Sequence, residues 1–99
     1  MDDANVRLAR ACGESDLEDA ERAIREGADV NKPEAYNTTL LMNAAREGRA
    51  EIVELLLKHG ARVLLKNDFG KTALDYAVMN SYSDIAKALN ERADVEKFL

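Results

Sequence analysis

Several residue types that would commit this chain to a particular chemistry are scarce or missing. The 99 residues include one cysteine, one histidine, one proline and no tryptophan. With Cys12 alone, no disulfide can form within the chain. His59 has no cysteine or second histidine to complete a metal site and stands beside no nucleophile turn, which argues against a zinc site and a catalytic triad. We therefore predict a protein that is not an enzyme and that uses no metal and no cofactor.

Long apolar runs and an excess of basic residues are also lacking. The N-terminal stretch MDDANVRLAR is polar, so neither a signal peptide nor a membrane span is recognisable. The formal net charge of −5 argues against nucleic acid or an anionic membrane as the partner, because phosphate contacts need a basic surface. We expect a cytoplasmic protein, or one in another reducing intracellular compartment, with Cys12 as a small buried hydrophobe.

What the sequence does contain is one pattern written three times. Residues 39–63 predict two short amphipathic helices, the first broken by Gly48 and the second stopped by Gly60. The pattern recurs 33 residues later and 33 residues earlier, so that Thr39 corresponds to Thr72 and Leu41 to both Leu8 and Leu74. A fixed period of this size indicates a stacked array of repeats.

The repeated unit resembles the ankyrin repeat. Residues 27–31 spell G-A-D-V-N, and the Ala44-Ala45 pair followed by Gly48 matches the middle of the family pattern. The resemblance implies an all-α ankyrin-repeat solenoid of three helix-turn-helix units with β-turn or hairpin tips. It implies a single domain over 1–99, with repeats of about 1–33, 34–66 and 67–99.

The sequence departs from the family pattern at several positions. Leu40 and Ala73 replace proline, Met42 and Asp75 replace histidine, and Ser81 replaces the turn glycine of the third unit. We expect these changes to affect local stability and not the fold.

Local signals predict where the helices begin and end. Asp16, Thr39 and Thr72 are expected N-caps, because a side-chain oxygen there accepts from free backbone N–H groups. Gly27 and Gly70 are expected at positive φ. Near the C-terminus we predict a largely helical segment, with Phe98 and Leu99 packed back or partly frayed. Residues predicted to face inward in the third unit are Leu74, Ala77, Val78, Ile85, Ala88 and Leu89.

Three short patterns are interpreted as structural. Residues 68–70 spell the kinase triplet D-F-G, but without a glycine-rich loop or an H-R-D motif they predict a turn. Residues 37–39 match a glycosylation acceptor, but without a secretory signal they predict a turn and a helix cap. His59 is expected to be a solvated residue at a helix C-terminus.

The resemblance implies that the chain binds another protein through its concave face, which we define as the turn tips and the first helices of the repeats. The chain would act as an adaptor or inhibitor. Large apolar groups on a solvent face, together with arginine, are typical of contact sites, although Tyr36 and Phe69 could instead stack on each other. The candidate contact residues are Tyr36, Thr38, Arg46, Glu47, Arg49, Phe69, Lys71, Met79, Asn80 and Tyr82.

Other interpretations stay open. The first repeat has nine acidic and five basic residues, the second four and five, and the third six and four. An acidic cluster in the first repeat, comprising the acidic residues of segment 14–21, could bind a basic partner, although such runs are usually solvated. Leu64 and Leu65 could extend an apolar strip. We expect a monomer; a self-associating structural unit and a designed or excised scaffold are the alternatives.

Overall fold

The computed structural model describes residues 3–98, and within them the chain forms six α-helices in three pairs. Each pair packs together, and the first and second helices of successive pairs stack on one another. The body measures 36 × 25 × 22 Å. No strand occurs in this part of the chain, so the prediction of an all-α stack of three helix-turn-helix units is confirmed. The helices are α1 (Ala4–Gly13), α2 (Leu17–Arg25), α3 (Leu40–Glu47), α4 (Ala50–Lys58), α5 (Ala73–Met79) and α6 (Ser83–Glu96).

The predicted N-caps are present, including Asp16 at the start of α2. The hydroxyls of Thr39 and Thr72 accept from the N–H groups of Met42 (3.3 Å) and Asp75 (3.1 Å). The caps are reciprocal, because the Asp75 carboxylate accepts from Thr72 N–H at 2.9 Å and the Met42 sulfur from Thr39 N–H at 3.4 Å. Both replacements of the family's histidine therefore still complete a capping box.

The connections between repeats end in hairpin-like tips. The Glu34 N–H donates to the Thr38 carbonyl at 2.9 Å, and the Asn67 N–H donates to the Lys71 carbonyl at 3.0 Å. These bonds close the tips without forming a strand in the described residues, which agrees with the predicted β-turn or hairpin tips.

The core runs through all three repeats. Leu8, Leu41, Leu56 and Leu89 are almost completely buried. Cys12 is buried among them, as predicted, and burial raises the pKa of its thiol to about 11, with a further rise from Glu34 that outweighs the opposing effect of Arg49.

The prediction that Val78 faces inward is wrong. Val78 is 62 % exposed, whereas Cys12 and Ala45, at the equivalent positions of the first two repeats, are 6 % and 0 % exposed. Each of those two residues is covered by the next repeat, and no repeat of the described chain lies beyond α5 and α6 to cover Val78. The helical period places Val78 on the side of α5 that faces the next repeat. The sequence pattern does not distinguish such a position from a position in the core.

The predicted helical C-terminal segment is confirmed, because α6 continues to Glu96. The Glu96 carboxylate accepts from the N–H groups of Val63 at 2.7 Å and Leu64 at 3.3 Å, which anchors this last turn to the preceding repeat. Phe98 is 88 % exposed and does not pack back. Leu99 lies outside the described residues.

His59 follows α4, as predicted, but it is half-buried and only partly solvated. Its Nε2 lies 3.9 Å from Glu21 Oε1 on α2 and has no hydrogen-bond partner among residues 3–98. The reason is that α2 of the preceding repeat lies beside the end of α4.

Candidate protein-binding face

Two aromatic rings meet at the tips of the second and third repeats. The ring centroids of Tyr36 and Phe69 are 5.4 Å apart, at an interplanar angle of 43°, which is a favourable tilted arrangement. The two residues nevertheless stay 65 % and 62 % exposed. The two interpretations of this pair are therefore compatible: the rings stack on each other and still present an aromatic surface. We call them the aromatic pair.

One backbone and one side-chain hydrogen bond fix the two tips relative to each other. The Asp68 N–H donates to the Tyr36 carbonyl at 2.8 Å, and the Asn37 amide donates to the Asp68 carboxylate at 2.8 Å. Tyr36 and Asn37 have φ of 60° and 58°, the left-handed combination that suits a tight hairpin turn. A tyrosine rarely adopts this conformation, and such strain costs about 1 kcal/mol or more and concentrates at functional sites.

The tip of the third repeat is built around Asn67, which is 6 % exposed. Its side-chain oxygen accepts from the N–H groups of Phe69 and Lys71, both at 3.0 Å. Its amide donates to the Tyr76 hydroxyl at 2.9 Å and to the Thr38 hydroxyl at 3.5 Å. Thr38 is therefore partly engaged inside the molecule. The sequence predicted that Asn67 lies in a turn. It did not indicate that the side chain would be buried and hydrogen-bonded to groups of both tips.

The first helices contribute the C-terminal ends of α3 and α5. The Asn80 amide donates to the Arg46 carbonyl at 2.9 Å, which brings these two candidate residues together. The Arg46 guanidinium donates to Asn43 Oδ1 at 3.0 Å, one turn earlier on α3. Met79 beside them is 60 % exposed.

Arg49 and Tyr82 lie in the turns between the helices of a pair, and Glu47 is the last residue of α3. The Arg49 guanidinium donates to the Ser15 hydroxyl and lies 3.6 Å from the Glu47 carboxylate. The Tyr82 ring rests on Gly48, so close that a Cβ at that glycine would lie 2.6 Å from the ring. Arg49 and Tyr82 thus each contact the turn of the preceding repeat, and Tyr82 remains 38 % exposed.

Three of the five residues of the acidic cluster in the first repeat contact other groups of the chain. Asp16 caps α2, and Asp19 lies 4.0 Å from Arg7 and from Arg22. Glu21 lies against His59, as described above. These contacts leave less of the cluster available to a basic partner than the sequence suggested.

Other kinds of site receive no support from the geometry. Within residues 3–98 no three His, Cys, Asp or Glu side chains are grouped so that they could hold a metal ion. None of the described helices is both long and apolar enough to span a membrane.

Comparison with known proteins decides the family. A family model for ankyrin repeats, in three copies, matches residues 8–98. The chain belongs to the ankyrin repeat family. Ankyrin repeats are protein–protein interaction modules without catalytic machinery of their own.

Curated relatives share the repeats within much longer proteins. XBAT35 of Arabidopsis thaliana is 36 % identical over 87 residues, covering 85 % of this chain and 19 % of that protein. XBAT34 of the same plant is 39 % identical over 88 residues, covering 83 % and 23 %. The names of both contain the words E3 ubiquitin-protein ligase. Serine/threonine-protein kinase 12, again from this plant, is 34 % identical over 87 residues, covering 88 % and 19 %. The chain thus spans less than a quarter of these relatives, whose ligase and kinase names describe the whole proteins.

Proposed function

We propose that this ankyrin-repeat chain binds a partner protein through its concave face, and that it acts as an adaptor or as an inhibitor that occludes the partner's surface. It would do so in a reducing compartment such as the cytoplasm. The observation that carries the proposal is the aromatic pair, two large rings that are exposed although they touch each other.

The energetics of the aromatic pair favour a binding role. Exposed apolar surface costs about 25 cal/mol per Å² relative to burial, and aromatic anchors dominate interface energies. The rings of Tyr36 and Phe69 stand on tips fixed by backbone hydrogen bonds and by Asn67. Little free energy would therefore be lost in ordering this surface when a partner binds.

Charges of both signs lie on the face that carries the pair, since Asp68 is next to Phe69 and Glu47 is next to Arg46. The second repeat has a net charge of +1, between a first repeat of −4 and a third of −2. Arg46 and Lys71 lie on the concave face with the aromatic pair, and Met79 adds an adaptable apolar surface. We therefore propose that the partner offers an apolar or aromatic side chain that packs against the pair and Met79.

The test is affinity capture from a lysate of the native host, followed by titration with the captured protein. One bait is the wild type and the second carries Tyr36→Ala, Phe69→Ala and Met79→Ala. The matched control carries Glu54→Ala and Lys58→Ala, two exposed changes on α4. Circular dichroism first establishes that all three baits fold.

We expect a protein that the wild type and the control retain and that the triple variant loses, with each ring contributing a factor of about ten or more to affinity. Capture of the same protein by all three baits would place the contact elsewhere. If the α4 control alone failed to capture the protein, binding would be assigned to the second helices and the proposal would be refuted.

A further inference from the structure

Ser15 is exposed in the turn between α1 and α2, and an arginine of the next repeat reaches it. The Arg49 guanidinium donates to the Ser15 hydroxyl across the boundary between the first and second repeats. Ser15 has a φ of 55°, in the left-handed region that disfavours a side chain, and the equivalent residue of the second repeat is Gly48. A serine therefore stands at a position where glycine would be less strained.

The Arg49 guanidinium has capacity for more acceptors than it meets in the chain. Its Nη2 lies 3.6 Å from the Glu47 carboxylate, and its Nε–H is buried without a hydrogen-bond partner among residues 3–98. Ser15 and Arg49 both line an open crevice of about 330 Å³. A hydroxyl offers the guanidinium one neutral acceptor, whereas a phosphoryl group on the same oxygen adds three strong acceptor oxygens and a negative charge. The crevice therefore supplies both the space and the cationic donor that a phosphate on Ser15 would need.

The residues after Ser15 carry the charge that a kinase with a basic substrate groove selects. The sequence from Ser15 onward is S-D-L-E-D, and the side chains of Asp16 and Glu18 are exposed. Complementary charge of this kind is one way in which kinases discriminate between substrates. Of the three serines in the chain, Ser81 occupies the equivalent turn position with a φ of 61°, but a tyrosine follows it. The charge pattern therefore distinguishes Ser15 from a serine in the same backbone conformation.

We propose that Ser15 is a phosphorylation site and that Arg49 holds the phosphate across the boundary between the first two repeats. A protein kinase transfers the γ-phosphoryl group of a nucleoside triphosphate to Ser15 Oγ. The bond from Oγ to phosphorus forms, the bond from phosphorus to the β–γ bridging oxygen breaks, the nucleoside diphosphate leaves, and the hydroxyl proton passes to the catalytic aspartate of the kinase.

Carboxylates near the turn oppose the modified side chain. Glu14 and Asp16 flank Ser15 in the sequence, and Glu51 lines the crevice. Like charges repel a phosphate, so the contact with Arg49 decides whether the modified turn is stable. With that contact, the modification links the first repeat to the second.

The first test treats the folded chain with magnesium ATP and a serine kinase that prefers carboxylates after the acceptor, and locates the phosphate by mass spectrometry. We expect one phosphate per chain, on Ser15. Ser15→Ala should abolish the modification, and Ser81→Ala, the matched control, should leave it unchanged. A folded chain without phosphate on Ser15, or with phosphate on Ser81 or Ser83 in preference, would overturn the proposal.

A second test incorporates phosphoserine at position 15 during translation and therefore needs no kinase. In a phosphorus NMR titration, the second pKa of the phosphate should be lower in the otherwise unmodified chain than in Arg49→Gln, because the guanidinium favours the dianion. Phosphorylation should also change the melting temperature more favourably, by about 4 °C or more, when Arg49 is present.

The matched control is Arg25→Gln, which removes the same charge from an exposed residue at the far end of α2. It should leave both the phosphate pKa and the effect of phosphorylation on melting nearly unchanged. Equal phosphate pKa values with and without Arg49, or equal effects of the two arginine substitutions, would overturn the proposal. Because each comparison is made with and without the phosphate, a general loss of stability in Arg49→Gln cancels.

Discussion

Replacing Gly48 with alanine should destabilise the chain more than the same replacement at Gly70. The two glycines have the same φ of 74°, so the backbone conformation disfavours an added side chain equally at both positions. They differ in their surroundings. A Cβ at Gly48 would lie 2.6 Å from Cζ and 2.7 Å from Cε1 of Tyr82, whereas a Cβ at Gly70 would have no heavy atom of the described residues within 4 Å beyond its chain neighbours.

The expected costs follow from the shared φ and from the different surroundings of the two glycines. Alanine in the left-handed region costs about 1–2 kcal/mol, offset by about 0.4–1 kcal/mol because the unfolded chain loses freedom. Gly70→Ala should therefore cost about 1 kcal/mol. At Gly48 the Tyr82 ring must also move, and since it is already partly exposed it should swing outward at the expense of its packing. That loss is about 1 kcal/mol, roughly half the value of burying a large side chain.

Thermal and urea unfolding of both variants would measure this contrast. A difference of about 1 kcal/mol corresponds to about 4–8 °C in melting temperature for a domain of this size. In a Tyr82→Ala background, Gly48→Ala should cost no more than Gly70→Ala, because the ring that it displaces has gone. The double-mutant cycle should give a coupling of about 1 kcal/mol between Gly48 and Tyr82.

Equal costs for Gly48→Ala and Gly70→Ala, within about 0.3 kcal/mol, would refute the reasoning. So would an unchanged cost of Gly48→Ala after removal of the Tyr82 ring. The result also bears on function, because Tyr82 belongs to the candidate contact set. If partner binding uses the ring where it rests now, Gly48→Ala should weaken binding as well as stability.

Three further predictions follow from buried polar groups. Cys12 should resist thiol reagents at pH 8 in the native state and react readily in urea, because a pKa of about 11 leaves about one thiol in a thousand ionised. The free energy of unfolding should decline from pH 9 towards 11, because the unfolded thiol ionises before the folded one. Glu96→Gln should cost about 1 kcal/mol and speed hydrogen exchange at the Val63 amide, since it weakens a charge-assisted bond of 2.7 Å, whereas the exposed Glu91→Gln should change neither. Asn67→Ala should lower the free energy of unfolding, measured in urea, by about 1–3 kcal/mol, because it leaves two N–H groups without an acceptor. Asn67→Asp keeps the acceptor and should therefore cost less.

Local signals sufficed to predict much of the fold and one contact of the candidate face. The 33-residue period set the three helix pairs, and the short side-chain oxygens of Thr39 and Thr72 marked two helix starts. The same period placed Tyr36 and Phe69 on neighbouring tips, which is why their ring contact was foreseeable. These features depend on spacing along the chain, and spacing is what a sequence displays directly.

The features that the sequence did not reveal depend on what lies across a repeat boundary. Val78 has the spacing of a core residue, and its exposure is decided by the absence of a covering repeat in the described chain. Asn67 and Glu96 resemble ordinary turn and helix-surface residues. Their importance arises because Asn67 turns its carboxamide inward, and because Glu96 reaches backbone N–H groups more than 30 residues earlier.

Equivalent residues of the three repeats either cap a helix or contact the preceding repeat. Asp16, Arg49 and Tyr82 are equivalent, each standing directly before the second helix of its repeat. Asp16 caps its helix, whereas Arg49 and Tyr82 form no cap hydrogen bond within the described chain and instead contact Ser15 and Gly48 in the preceding turn. In a stack whose stability is a sum of repeat and interface terms, these two residues therefore belong to the interfaces. A partner that moved the Tyr82 ring away from Gly48 would weaken the interface between the second and third repeats. Binding through Tyr82 is therefore most favourable if the partner contacts the ring in its present position.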